Sequence, residues 1–207
     1  PPDELDAAID VPALTDKLEG AHRPGHFVGV CRVVTKLLNV FQPDLACFGM
    51  KDYQQLRVIE AMTAAMCLPV EIVRCPTVRE ADGLAISSRN QYLSEEDRRH
   101  ALGLYKALEE AKQLVAAEEP DPDRVERAMR QVLEMHHAEV DYAVVREPRT
   151  LESIDMINLA LEPVIVVSLS GTLPERKLIR LGRDLRDEIE GITEVLKVDL
   201  GGDREEV

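Results

Sequence analysis

Apolar positions set the first outline of the chain. In FVGVCRVVTKLLNVF, residues 27–41, they fall at Val30, Val33, Val34, Leu37, Leu38 and Phe41. That i, i+3, i+4 spacing predicts one face of a helix. The pattern stops at Gln42, Pro43 and Asp44, because proline cannot continue the helical hydrogen-bond ladder. LACFG, residues 45–49, then reads as a short buried strand. Helical spacing returns in YQQLRVIEAMTAAM, residues 53–66, with Leu56, Ile59, Met62, Ala65 and Met66 close to one face. LPVEIVRCP, residues 68–76, reads as a second strand closed by Pro76. Strand, helix and strand with short joints predict a βαβ unit, with parallel strands and a right-handed crossover.

The texture changes after Asn90. SEEDRRHALGLYKALEEAKQLVAAEE predicts a long helix that Ser94 caps, with Asp97 three residues on completing a short capping box. PDPDRVERAMRQVLEMHH predicts another, with Asp121 as N-cap and Pro122 at the first helical position. VDYAVV and PVIVVSL read as strands. The expected architecture is therefore α/β. A partial Rossmann-like nucleotide-binding domain with a parallel sheet covers residues 1–91, a smaller α+β domain residues 92–181, and an acidic tail residues 182–207.

In open parallel sheets, ligands sit beyond the carboxyl ends of the strands. Two segments leave those ends. In the first, Gly49 allows close backbone approach, and Lys51 beside a helix start suits an anion. The plainer alternative is that Asp52 caps the helix and Lys51 is solvated. In the second, GLAISSRN, residues 83–90, Ser87, Ser88 and Arg89 can bond phosphate oxygens, with Arg79 upstream. Here the plainer alternative is an ordinary polar loop. His22, Arg23 and His26 of HRPGHF can meet an anionic substrate or serve structure. His100, His136 and His137 lie in or at the ends of helices and read as structural.

Composition narrows the class. The chain has 207 residues and is 45% apolar, 31% charged and 3% aromatic, as expected of a soluble globular protein. No apolar run approaches the ~20 residues of a membrane span, and the N-terminus does not resemble a secretory signal. The net charge of −14 argues against nonspecific nucleic-acid binding. Residues 1–20 and 182–207 together carry −10 of it, so the middle is nearly balanced. Cys31, Cys47, Cys67 and Cys75 have no zinc-ligand spacing and read as reduced, buried residues of a cytoplasmic protein. P-loop, nucleophile-elbow and His-Glu-x-x-His motifs are absent from the sequence.

Taken together, RPGHFVGV, QPDLACFGMKDYQQL and PTVREADGLAISSRNQYLS closely resemble the pantothenate synthetase (pantoate–beta-alanine ligase) family. The resemblance spans roughly residues 20–180 and is strongest over 22–93. It implies a ligase that activates pantoate with ATP and magnesium to pantoyl adenylate and pyrophosphate. Beta-alanine then displaces AMP. It also implies a homodimer whose nucleotide-binding domain resembles that of class I aminoacyl-tRNA synthetases. By this resemblance Gly49, Met50, Lys51 and Asp52 belong to the ATP site, with Lys51 facing the phosphates. Val78 would meet adenine through its backbone. Ile86, Ser87, Ser88 and Arg89 would form a mobile phosphate-contacting loop. Lys51, Ser87, Ser88 and Arg89 would be the catalytic group. Gln55, Arg23 and His26 would lie on the pantoate side.

The chain departs from that pattern at three places. Met50 stands where many members have Glu in GEKD. The C-terminal stretch from residue 176 differs from the short family ending. About a hundred N-terminal residues, including a His-x-Gly-His signature, have no counterpart, so a fragment with an uncovered apolar sheet face and edge is expected. The rival readings are a noncatalytic nucleotide-binding or assembly module acting through a partner chain, and another adenylate-forming enzyme of this fold.

Overall fold

The computed structural model describes residues 8–116, 121–155, 157 and 164–169. All of them belong to one compact unit, residues 1–170. The expected acidic tail lies outside the described residues.

Two short helices, α1 (Pro12–Thr15) and α2 (Glu19–His22), lead into α3 (His26–Phe41). Strand β1 (Leu45–Gly49), helix α4 (Tyr53–Ala65) and strand β2 (Glu71–Cys75) form the expected βαβ unit. The pairing is parallel, from Leu45 opposite Glu71 to Gly49 opposite Cys75. Helices α5 (Glu95–Val115) and α6 (Pro122–Met135) then precede β3 (Val140–Arg146) and β4 (Val164–Leu169), which pair antiparallel.

Local signals placed the helix starts. Ser94 Oγ accepts from Asp97 N at 3.1 Å, and Ser94 N donates back to Asp97 Oδ2 at 3.3 Å. Asp121 Oδ1 accepts from Asp123 N at 3.0 Å, with Pro122 in the first turn. Each such cap is worth about 1 kcal/mol.

The described residues form two cores. Ala107, Ala111, Val125, Met129, Leu133, Ala143 and Val145 bury the facing sides of α5, α6 and β3. Leu14, Phe27, Cys31, Leu38, Val58 and Met62 bury α1, α3 and α4, and Leu151 joins them from the loop after β3. That loop is pinned by donors from the first half of the chain. Tyr53 Oη, Arg57 Nη2 and Lys17 Nζ donate to the successive carbonyls of Pro148, Arg149 and Thr150 at 3.1, 3.3 and 3.1 Å.

Several expectations about faces need correction. On α3 the buried residues are Phe27, Cys31, Thr35 and Leu38, with Val30 and Val34 packed beside them. Val33, Leu37 and Phe41 point outward, Phe41 with 73% of its surface exposed. The helix is apolar on more than one side, and the side that meets α4 is buried. On α4, Ala65 and Met66 are exposed, while Gln54 and Val58 are buried. Strand β1 is not buried as a whole: alternate residues are exposed, and Leu45 keeps 57% of its surface. Cys47 on that strand and Cys67 after α4 are exposed too, and of the four free cysteines only Cys31 is buried.

Candidate functional site

The junction after β1 is tighter than the sequence suggests. Gly49 is extended (φ −72°, ψ 134°), Met50–Asp52 form one 3₁₀ turn, and α4 starts at Tyr53. Asp52 occupies the N-cap position, yet its side chain makes no capping bond. The capping reading of Asp52 therefore fails. Its carboxylate stays outward, 3.9 Å from Lys51 Nζ, and both side chains are largely exposed. A side chain at Gly49 would meet nothing within 4 Å, so the strand end is open on that side.

The segment after β2 folds back on itself. Arg79 bridges to Ala85, Ile86 N donates to Val78 O at 2.9 Å, and Glu80 N donates to Leu84 O at 2.8 Å. Gly83 makes the turn at φ +97°. This hairpin is fastened to α5. Arg98 Nη2 donates to Glu80 Oε2 at 2.7 Å and Asp82 Oδ2 at 2.5 Å. Asn90 Nδ2 closes the far end on Glu80 Oε1 and Ala85 O, both at 3.0 Å. Arg98 holds the Glu80 and Asp82 carboxyls below their ordinary pKa range. Arg79 donates to Gly83 O at 3.1 Å and lies over the Tyr105 ring at 5.0 Å. Between the anchors, Ser88–Tyr92 form a 3₁₀ turn, and Ser87 Oγ accepts from Arg89 N at 3.3 Å.

The third contributor is the segment before α3. Arg23 pairs with Glu19 at 3.3 Å, and His26 opens α3 with its ring 5.0 Å from that of Phe27. Burial and the nearby Arg23 charge lower the His26 pKa. His22 instead faces the Tyr142 ring at 5.6 Å.

These three segments meet. A cavity of about 360 Å³ is lined by Arg23, His26, Lys51, Asp52, Gln55 and Arg89, among others. It thus gathers three cations from three separate parts of the chain. A second cavity of about 550 Å³ shares Lys51, Asp52 and Tyr53 and continues between both strand ends and α5. Its further lining, including Met50, Pro76, Leu84 and Tyr105, is mainly apolar. Gly49, Val78, Ile86, Ser87 and Ser88 line neither. Val78 and Ile86 stand exposed side by side, at 65% and 55%. The arrangement suits a polyanion held at one end by Lys51 and Arg89, with a flat apolar portion beside it.

One residue escaped the sequence reading. Gln54 is 5% exposed and turned away from solvent into the turn before α2. The signal was present: Gln54, Val58 and Met62 share one buried stripe at helical spacing, and a polar residue there needs partners.

Over most of its length the chain is similar to known proteins. The chain is 49% identical over 168 residues to a pantothenate synthetase of Xanthomonas euvesicatoria, covering 81% of this chain and 60% of that one. It is 48% identical over 166 residues to a Rhizobium rhizogenes pantothenate synthetase, covering 80% and 56%. The chain spans a little over half the length of the curated relatives it matches. The crystal structure of pantothenate synthetase from Thermus thermophilus superposes with a TM-score of 0.71 at 41% identity, over 76% of this chain and 57% of that one. A Francisella tularensis pantoate-beta-alanine ligase, solved with beta-gamma ATP and beta-alanine, superposes at 0.54 and 30% identity, over 69% and 51%. The model of the family described as pantoate-beta-alanine ligase matches residues 2–180, nearly the whole chain, and the chain belongs to that family.

Proposed function

We propose that this chain forms part of an ATP-dependent ligase that joins pantoate to beta-alanine. It would supply one side of the active site and act with the remaining length that its relatives carry. The observation that supports this most is the convergence of Lys51, Arg89, Gln55, Arg23 and His26 on one cavity.

In this reading a pantoate carboxylate oxygen attacks the α-phosphorus of ATP, and the bond to the β-phosphate oxygen breaks. Negative charge collects on the departing pyrophosphate. Lys51 and Arg89, with Ser87 and Ser88 on the same loop, stabilise that charge more in the transition state than before it. Gln55 holds pantoate, with Arg23 and His26 on its side of the cavity. The amine of beta-alanine then attacks the acyl carbon, and AMP departs with the bonding pair. Val78 and Ile86 offer the adenine an exposed apolar edge beside the strand ends.

Magnesium is part of this proposal. Among the described residues no group of three or more His, Cys, Asp or Glu forms a metal cage. Magnesium commonly binds through substrate phosphates with one or two carboxylates and water. Asp52, exposed beside Lys51, would be a carboxylate available to hold it, and the ion would supply further charge neutralisation at the phosphates. A homodimer in the cytoplasm completes the reading. No helix among the described residues is long and apolar enough to cross a membrane.

The test uses the chain completed at its N-terminus with the corresponding segment of a full-length relative. AMP and pyrophosphate should form only when pantoate is present, and pantothenate when beta-alanine is added. Product from an unrelated acid, with none from pantoate, would overturn the reading.

A further inference from the structure

We infer that Gln54 is a positioning residue that clamps a left-handed kink at Leu18 and thereby sets the substrate-acid side of the cavity. Leu18 lies at φ +47°, ψ −121°, a region that residues with a Cβ seldom occupy. The Gln54 carboxamide grips the chain on both sides of that residue. Its Nε2 donates to Lys17 O at 2.8 Å, and its Oε1 accepts from Glu19 N at 3.1 Å. The second Nε2 hydrogen goes to Leu14 O, also at 2.8 Å. All three bonds reach backbone, and the side chain is 5% exposed, so they form away from competing water.

The kink has a consequence for the cavity. It starts α2, whose Glu19 carboxylate pairs with Arg23 and whose end leads directly to His26. Arg23 and His26 line the cavity with Gln55, the next residue on α4. Both adjacent glutamines border the cavity, and it is Gln54 whose carboxamide bonds the chain that leads to Arg23 and His26. Phosphate-side groups, Lys51 and Arg89, sit on the 3₁₀ turns before α4 and α5 and make none of the bonds of this clamp. Loss of Gln54 should therefore weaken binding of the small acid and spare ATP.

The ligand in this inference rests on the proposed ligase reading, while the clamp itself does not. Gln54→Met keeps the side-chain length and removes the three bonds. In the 207-residue chain it should speed hydrogen exchange at the Ala21, His22 and Arg23 amides at least tenfold. Adding Leu18→Gly, which makes the kink conformation accessible without help, should recover much of that protection. In the completed chain, Gln54→Met should raise KM for pantoate about tenfold, with KM for ATP and kcat within twofold. Unchanged exchange, no recovery from Leu18→Gly, or equal increases in both KM values would overturn the inference. A completed wild-type chain that makes no pantoate-dependent AMP would sink the ligase reading, and the exchange measurements would still decide the clamp. If Gln54→Met does not fold, Gln54→Asn, which shortens the reach by one methylene, carries the same measurements.

Discussion

Tyr105 of α5 fills the space that a side chain on Gly83 would need. A Cβ built on Gly83 would lie 2.1 Å from Tyr105 Cδ1, and Gly83 itself sits at φ +97°. The ring is also covered by Arg79, which donates to the Gly83 carbonyl. Glycine, ring and guanidinium thus stack the hairpin of residues 78–86 onto the helix. Gly83→Ala should meet both a strained backbone and an overpacked contact, a loss of about 2–4 kcal/mol. Urea unfolding of the two chains measures it, and a loss under 1 kcal/mol would count against this packing.

Arg98 fastens the same hairpin by charge, and its effect should depend on pH. The folded-state pKa values of Glu80 and Asp82 are depressed below their ordinary 4.5 and 3.8. Depressed carboxyls contribute stability that is fully present above the ordinary values and is lost as pH falls through the folded ones. The stability gap between wild type and Arg98→Met should accordingly hold level from pH 7 to about 5 and close below about 4. Thermal unfolding across that range checks it, and a gap that widens in acid would contradict the assignment. Both carboxylates are solvent-accessible, so salt should also narrow the gap.

In the completed protein, Lys51→Ala and Arg89→Ala should each slow adenylate formation by a factor of about 10² to 10³, or ~3–4 kcal/mol. Both side chains are exposed, so unfolding midpoints should stay within about 1 °C of wild type. Pyrophosphate exchange at saturating ATP is the measurement, and near-wild-type exchange in either variant would remove that residue from the phosphate side.

Ser94→Ala removes the hydroxyl that anchors the capping box of α5, at a cost of about 1 kcal/mol. Because Arg98 lies in the first turn of that helix, amide exchange at Arg98 should accelerate more than exchange at Ala111, deep in the core. Equal acceleration at both positions would mean that the cap supports the whole domain rather than its first turn.

How much was legible in the sequence differs from residue to residue. Ser94 with Asp97, and Asp121 with Pro122, could be read directly, because a cap involves residues within one helical turn. The βαβ unit was legible for a related reason: period and punctuation by Pro43 and Pro76 are local properties of the chain. The candidate loops followed, since both leave the carboxyl ends of parallel strands. Motif resemblance named the cavity residues that geometry then brought together, namely Lys51, Gln55, Arg89, Arg23 and His26.

Tertiary structure decided the rest. An α3 apolar on several sides offers more than one stripe for burial, and only the position of α4 selects Phe27, Cys31 and Leu38 over Val33, Leu37 and Phe41. Arg79 and Arg89 are equivalent in type and nearby in sequence, yet one packs over Tyr105 beside the larger cavity and the other lines the smaller one. Gln54 and Gln55 are identical in chemistry, but the helix turns them roughly 100° apart. Both border the cavity, but only the first has backbone partners from residues 14–19 arrive against its carboxamide. Sequence thus determined what each segment is, through interactions closed within a few residues. Which side chain faces a ligand was settled only by contacts between segments far apart in the chain, because burial and charge pairing depend on what arrives opposite.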